Sequence, residues 1–288
     1  MAAITAAMVK ELREKTSAGM MDCKKALQEC DGDLNNAVDW LRQKGLSKAA
    51  KKAGRATSEG LVGCYVSEDG KLAGLAELKC ETDFVSRNEK FIALSADLAK
   101  QVATTGSLDE AAQASVNDII ATLGENMAAG RTAQMAVAGT GAIGSYVHSN
   151  GKIAVLVNMT FEKAETAANE VFQECAKNIA MQIAASNPAA LSPEKIDAEV
   201  IERERGVYRQ KALDEGKPEN IVEKIVDGAI KKFYKEACLL EQAYIRDDKM
   251  SINDLLTQTG KAVGDSISIT DFVRFQLGED AAAESEEA

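Results

Sequence analysis

The sequence is poor in the residues that most often build metal and redox sites. Among its 288 residues there is a single histidine, and none of the six cysteines stands in a Cys-x-x-Cys pair. Zinc sites and dithiol redox sites usually need such pairs or clusters, so we expect no metal site. The cysteines are predicted to be free thiols, several of them buried. They are Cys23, Cys30, Cys64, Cys80, Cys175 and Cys238.

Long apolar runs and an excess of basic residues are also missing. No stretch reaches the ~18 apolar residues that a membrane span needs, and the first residues show no signal-peptide or transit-peptide pattern. We therefore expect a cytoplasmic protein. The net charge is −11, from 34 basic and 45 acidic residues, whereas proteins that bind nucleic acid usually carry a basic surface. The composition thus predicts no direct contact with membranes or nucleic acid.

One stretch imitates a nucleotide-binding motif. Gly139-Thr140-Gly141-Ala142-Ile143-Gly144 fits the G-x-G-x-x-G pattern, but a dinucleotide site needs a helix to begin there. The residues that follow instead predict a strand and a hairpin turn. Because the chain also lacks any G-K-[ST] motif, we expect it to bind no nucleotide and no other cofactor. An enzyme that uses this stretch or a reactive cysteine is the alternative.

The middle of the chain contains an internal repeat with an offset of 81 residues. Residues 60–73 match residues 141–154, and each copy predicts two strands joined at a tight turn, Asp69-Gly70 or Asn150-Gly151. Apolar residues at helical spacing follow each hairpin. We therefore predict two related α+β subdomains, each a small antiparallel sheet with helices on one face. The apolar positions are Phe91, Leu94, Leu98 and Val102 in the first copy, and Val171, Phe172, Cys175, Ile179 and Ile183 in the second.

Further elements are predicted around the hairpins. Three short helices within about 45 residues predict a small bundle, with Asp33 as a helix cap and a solvated, basic linker helix behind it. Residues 107–129 predict a helix and residues 135–137 a strand. Ser192-Pro193 is expected to open a helical hairpin, with Ile196, Val200, Val207 and Tyr208 on one apolar face and a turn at residues 216–218. A helix capped at Ser251 and a final strand follow.

The fold class is therefore α+β with several modules. The predicted division is 1–55 for the bundle with its linker, 56–140 for the first subdomain, 141–280 for the second, and 281–288 for a disordered acidic tail. Within the second subdomain, the helical hairpin is expected at about 193–236 and a C-terminal helix–strand module at 250–280.

Two stretches resemble the signatures of the elongation factor Ts family, whose members release GDP from elongation factor Tu. The first is residues 12–27, which depart from the family pattern at Ser17, where glycine is usual. The second is residues 77–87, which depart at Lys79, where asparagine is usual. Residues 272–275 resemble the family's closing segment. The resemblance covers nearly the whole chain and implies a non-enzymatic exchange factor with a ubiquitin-associated-type N-terminal bundle.

The resemblance also implies which residues contact the partner. The segment Thr82-Asp83-Phe84-Val85, here called the tip, is expected to press on the Mg²⁺ and nucleotide site of elongation factor Tu. The N-terminal module is expected to bind the partner's GTPase domain, and His148 to lie near the partner surface. The residues implied in the N-terminal module are Arg13, Met20 and Met21. The complex is expected to hold one copy of each protein or to form a dimer of heterodimers.

Each of these assignments has a plainer alternative. For the tip, the alternative is a helix cap, since Thr82 and Asp83 are good N-cap residues, with Phe84 buried in the core. The two methionines are also compatible with core packing, and His148 with a partly exposed strand residue. The repeat bears on the tip, because its second copy has Ala164 and Glu165 at the positions of Asp83 and Phe84. Since the fold does not require an Asp-Phe pair there, the comparison favours a functional role.

Overall fold

The structure is a computed structural model that describes residues 4–16 and 18–279. Ser17 and the predicted acidic tail lie outside the described residues. The helices are Ala6–Thr16 (α1), Met20–Glu29 (α2), Leu34–Lys52 (α3), Asp83–Ser86 (α4), Glu89–Thr105 (α5), Glu110–Leu123 (α6), Glu170–Ser186 (α7), Ala198–Asp214 (α8), Glu219–Ala237 (α9) and Ile252–Val263 (α10). The strands are Glu59–Val66 (β1), Leu72–Cys80 (β2), Met127–Ala136 (β3), Gly141–His148 (β4), Ile153–Thr160 (β5), Ala243–Tyr244 (β6), Asp247–Ser251 (β7) and Ser268–Gln276 (β8).

Helices α1, α2 and α3 form the N-terminal bundle around a small apolar core, which contains Leu12, Cys23, Ala26, Leu27 and Ala37. The predicted cap is confirmed, because Asp33 accepts a hydrogen bond from the Asn36 amide at 2.9 Å. The linker is helical, as predicted, because it continues α3. Its lysines are exposed or partly exposed, as expected, whereas Ala49 is buried. A Cβ added at Gly45 would lie 3.2 Å from Ala121 of α6, so α3 packs on the core.

Two three-stranded antiparallel sheets form the centre of the molecule, in the orders β1-β2-β3 and β4-β5-β8. Both predicted hairpins, β1–β2 and β4–β5, are confirmed. One face of the first sheet packs on α5 and α6, and one face of the second packs on α7 and α10. The remaining faces pack against each other through the side chains of Val62, Ala73, Leu75, Met135, Ile143, Ala154, Leu156 and Phe275. Both sheets are therefore covered on two sides.

The repeat extends through the helices that follow the hairpins. Helices α5 and α7 begin and end 81 residues apart. Their caps match as well: Asn88 and Asn169 cap the N-termini, and Gly106 and Asn187 end the helices with a left-handed backbone. These are local signals that each copy carries in its own sequence.

The two copies face each other with approximate twofold symmetry. The Val62 amide donates to the Gly151 carbonyl at 2.7 Å, and the Ile143 amide donates to the Gly70 carbonyl at 2.9 Å. The two hydrogen bonds are equivalent under the repeat, because Val62 corresponds to Ile143 and Gly70 to Gly151. The sheets are thus joined by matched hydrogen bonds as well as by their apolar interface.

The second copy is completed by the C-terminal end of the chain. In the first copy, α6 is followed by β3, which pairs with β2. In the second copy, α10 is followed by β8, which pairs with β5. Helices α8 and α9 are inserted between α7 and α10 of the second copy. Helix α10 carries the predicted cap, since Ser251 and Asp254 form a capping box.

Several sequence expectations about element boundaries and faces were wrong. Residues 127–129 belong to β3 rather than to a helix, and β3 is longer than the predicted 135–137. Ser192 makes no side-chain cap, and α8 begins later, with Asp197 accepting from the Glu199 amide. Val171 and Val207 were expected inside but are 49% and 56% exposed. Their helices instead bury other positions, among them Phe172 and Ala212.

Candidate partner-binding surface

The tip forms a short turn between the end of β2 and the start of α5. Its one large apolar side chain, Phe84, is 81% exposed, which contradicts the alternative of a core phenylalanine. Val85 is partly buried and packs against the core under α5 and α6. Phe84 is therefore available for contact with another molecule, on a turn that Val85 anchors to the core.

Thr82 occupies the N-cap position of α4, but its side chain makes no cap hydrogen bond. Instead its hydroxyl donates to Glu125 Oε1 at 2.6 Å and its amide donates to Glu125 Oε2 at 3.0 Å. The Cys80 thiol donates to the Thr82 carbonyl at 3.1 Å. Burial raises the pKa of Cys80 to about 12, so that the thiol keeps its proton. Three contacts therefore fix the residue that precedes Asp83.

Sequence reasoning missed Glu125 because it lies 43 residues from Thr82 and matches no motif that we recognised. The one available signal is its position after Gly124, a residue type that often ends helices. That position marks a turn in front of β3 but does not predict which residue the carboxylate contacts.

Asp83 is the charged residue of the tip. Its carboxylate pairs with Arg87 Nη2 at 2.8 Å, one helical turn later, and both side chains are substantially exposed. Such surface pairs contribute about 0–1 kcal/mol. Asp83 is therefore free to exchange Arg87 for a group on a partner at small cost.

An open cleft of about 970 Å³ brings the tip's helix close to the second hairpin. Its lining includes Asp83 and Arg87 as well as residues 147–152, except His148. His148 lies on β4 in the same hairpin and is exposed, with Nδ1 2.9 Å from the Tyr146 hydroxyl. The hairpin that carries His148 therefore borders the same cleft as the tip.

The N-terminal residues form a separate part of the surface. Met20 and Met21 begin α2 and are 59% and 75% exposed, so the alternative of core packing is contradicted. Arg13 is exposed on α1. Beside the methionines, Asp22 pairs with Lys48 at 2.9 Å, and this hydrogen bond lowers the pKa of Asp22. None of these residues lines the cleft at the tip.

Lys79, the second departure from the family pattern, lies on β2 near a buried carboxylate. Its ammonium is 3.8 Å from Glu77 Oε2, and Arg131 approaches the other oxygen of Glu77 at 2.7 Å. Glu77 is fully buried. Lys79 therefore adds positive charge to a group that burial would otherwise penalise.

The remaining sequence candidates have structural explanations. The G-x-G-x-x-G stretch runs into β4, as predicted, and a Cβ at Gly144 would lie 3.0 Å from Ala176 of α7. All six cysteines are free, and four are buried. Within residues 4–16 and 18–279, no three His, Cys, Asp or Glu side chains are grouped so as to hold a metal ion. Among the same described residues, no helix is both long enough and apolar enough to cross a membrane.

Comparison with known proteins places the chain in a family. The family model described as Elongation factor TS matches residues 81–279. The elongation factor Ts of Nitratidesulfovibrio vulgaris (strain Hildenborough) is 77% identical over 282 residues, which cover 98% of each chain. Those of Desulfovibrio desulfuricans and Lawsonia intracellularis are 58% and 54% identical, covering 96% of this chain and 99% of each relative. The chain therefore belongs to the elongation factor Ts family, the exchange factors for elongation factor Tu in protein biosynthesis.

Proposed function

We propose that this chain binds elongation factor Tu in its GDP form, disturbs the Mg²⁺ and phosphate site through the tip, and so promotes GDP release. The observation that carries the proposal is the 81% exposure of Phe84 on a turn whose preceding residue is held at three points. A side chain presented in this way contributes little to the free fold, so its surface is available to a partner.

The proposed mechanism needs no bond to be made or broken. Phe84 acts as an apolar wedge that displaces partner side chains around the ion, and Asp83 brings a negative charge to a site where Mg²⁺ and phosphates are balanced. Neither residue has to become a ligand of the metal, because disturbing residues that support a metal's ligands costs about 10–100-fold in affinity. Once the ion is lost, the phosphate contacts weaken and GDP leaves.

The other candidate residues supply affinity in this proposal. Met20, Met21 and Arg13 bind the partner from the N-terminal bundle, while His148 contacts it beside the cleft. Because the residues that supply affinity are separate from the tip, which acts on the Mg²⁺ site, the complex persists while GDP leaves. The number of copies in the assembled complex, one of each protein or a dimer of heterodimers, stays a prediction.

The deciding experiment is release of a fluorescent GDP analogue from elongation factor Tu, with and without this chain. We expect acceleration that saturates with the concentration of the chain. Binding without acceleration would contradict the exchange mechanism and leave a simple interaction module.

A titration of the isolated chain with GDP, GTP and NAD tests the alternative of an enzyme. We expect no saturable binding. Tight binding of any of these nucleotides would favour the alternative and contradict the proposal.

A further inference from the structure

A carboxylate follows the last helix of each copy of the repeat. Helices α6 and α10 end at Gly124 and Gly264, which have positive φ angles of 84° and 69°. The next residues are Glu125 and Asp265, and each precedes the third strand of its sheet. The two acidic residues thus occupy matching places, although the sequence repeat we recognised does not reach them.

Glu125 binds the tip from the side of α6. It accepts hydrogen bonds from the Thr82 hydroxyl at 2.6 Å and from the Thr82 amide at 3.0 Å. The residues next to Thr82 and Glu125 form a hydrogen bond in the opposite direction, in which the Asn126 amide donates to Glu81 Oε1 at 2.5 Å. Residues 81–82 and 125–126 therefore exchange side-chain-to-backbone hydrogen bonds, and we call this arrangement the first clamp.

Asp265 makes the corresponding contacts in the second copy. It accepts from the amides of Glu162 and Lys163 at 3.1 and 3.0 Å and from the Thr166 hydroxyl at 2.5 Å. Lys163 is 81 residues beyond Thr82, so the same junction is held in both copies. We call this arrangement the second clamp. It holds a turn in which Ala164 and Glu165 replace Asp83 and Phe84.

We propose that Glu125 is a positioning residue for nucleotide exchange, which acts through Thr82 to fix the direction in which Phe84 and Asp83 project. The inference rests on the proposed function. The second clamp shows that such a carboxylate closes the junction without any Asp-Phe pair. In the first copy, the same contact holds the residue that immediately precedes the pair.

The physical reason lies in the shortness of α4. A helix of four residues cannot hold its own conformation in water, and both ends of the tip must therefore be fixed by tertiary contacts. Val85 supplies one by packing on the core, and Glu125 supplies the other. Groups held before binding lose less conformational freedom when the partner is engaged, and a displacement of about 1 Å can cost on the order of 100-fold in rate.

The test compares Glu125→Gln with the matched control Asp265→Asn, each in the full chain. A glutamine offers one acceptor oxygen instead of two and turns an NH₂ group toward a donor of Thr82. We expect Glu125→Gln to slow GDP release at saturating concentration about five- to tenfold, while affinity for nucleotide-free elongation factor Tu changes less than about twofold. Asp265→Asn should leave the saturated release rate unchanged, even if it lowers the melting temperature as much.

A second comparison keeps the inference falsifiable if both variants lose stability. In a Phe84→Ala background, Glu125→Gln should have a much smaller effect on release, because the larger of the two side chains that it positions is gone. If Glu125→Gln fails to fold, Glu125→Asp, which keeps the charge but is one methylene shorter, is measured in both backgrounds instead.

Three results would overturn the inference. They are a normal saturated rate for Glu125→Gln, an equal slowing by Asp265→Asn, and full additivity with Phe84→Ala. If the parent chain itself fails to accelerate release, the proposed function fails and this inference fails with it. An active parent with a normal Glu125→Gln variant refutes only the role of Glu125.

Discussion

Removal of the tip's two projecting side chains should separate exchange from binding. A phenylalanine buries about 150–250 Å² in a complete contact. Since Phe84 is 81% exposed, roughly 120–200 Å² is available to a partner, worth at most about 3–5 kcal/mol at ~25 cal/mol per Å². If only half of the lower value is gained on the way to GDP release, its loss raises the barrier by about 1.5 kcal/mol, slightly more than tenfold in rate.

We therefore expect Phe84→Ala combined with Asp83→Ala to slow stimulated GDP release by at least about tenfold. The assay is stopped-flow release of a fluorescent GDP analogue at saturating exchange factor. Affinity for nucleotide-free elongation factor Tu should change much less. The free chain should keep its stability within about 1 kcal/mol, because an exposed side chain and a surface ion pair contribute little to folding.

Glu165→Ala is the matched control, since Glu165 occupies the position of Phe84 in the second copy. It should exchange normally. A double variant that stays within about twofold of the parent rate, less than ~0.5 kcal/mol on the barrier, would refute the wedge mechanism. The exposure of Phe84 would then need another explanation.

The remaining predictions concern the two methionines, the linkage with GDP and Mg²⁺, and Asp265. Met20→Ala with Met21→Ala should weaken binding to elongation factor Tu by about 1–3 kcal/mol, while circular dichroism shows an intact bundle; an unchanged dissociation constant would contradict this. Binding of the chain to elongation factor Tu, measured by calorimetry, should weaken as GDP and Mg²⁺ rise, because linkage makes the antagonism reciprocal; independence of both would exclude the mechanism. Asp265→Asn should destabilise the chain at neutral pH but not in strong acid, because the Thr166 hydroxyl and nearby amides lower the pKa of Asp265 to about 2. The stabilisation from Asp265 is complete above the unfolded-state pKa of about 3.9 and is lost as pH falls toward 2. The prediction would be contradicted if urea unfolding showed the same loss of stability in Asp265→Asn at neutral pH and near pH 2.

Much of the fold could be predicted because its signals are local. Asp69-Gly70 and Asn150-Gly151 specify tight turns by themselves, and both hairpins are confirmed. The helix starts at Asp33 and Ser251 were predicted for the same reason, since a cap needs only the next three residues. The predicted division of the chain into domains has no such local signal and stays a prediction.

The errors in helix faces have a geometric origin. Adjacent residues on a helix differ by about 100°, so a broad apolar stripe leaves its edge residues ambiguous. Val171 was assigned to the interior together with Phe172, but only Phe172 is buried. Which edge faces the core depends on how the helix is rotated against its sheet, and that rotation is a tertiary property.

Some features of the candidate site could likewise be predicted from the sequence, whereas others were decided by the tertiary structure. From the sequence by itself came the tip, the exposed-or-buried alternatives for Phe84, and the comparison with Ala164 and Glu165 in the second copy. Only the tertiary structure decided that Phe84 is exposed and that Glu125 holds Thr82, a contact across 43 residues of chain. It also decided that β8 completes the sheet of β4 and β5. Turns and caps follow from preferences of neighbouring residues, whereas exposure and long-range pairing depend on which surfaces remain after the two sheets and their helices have packed.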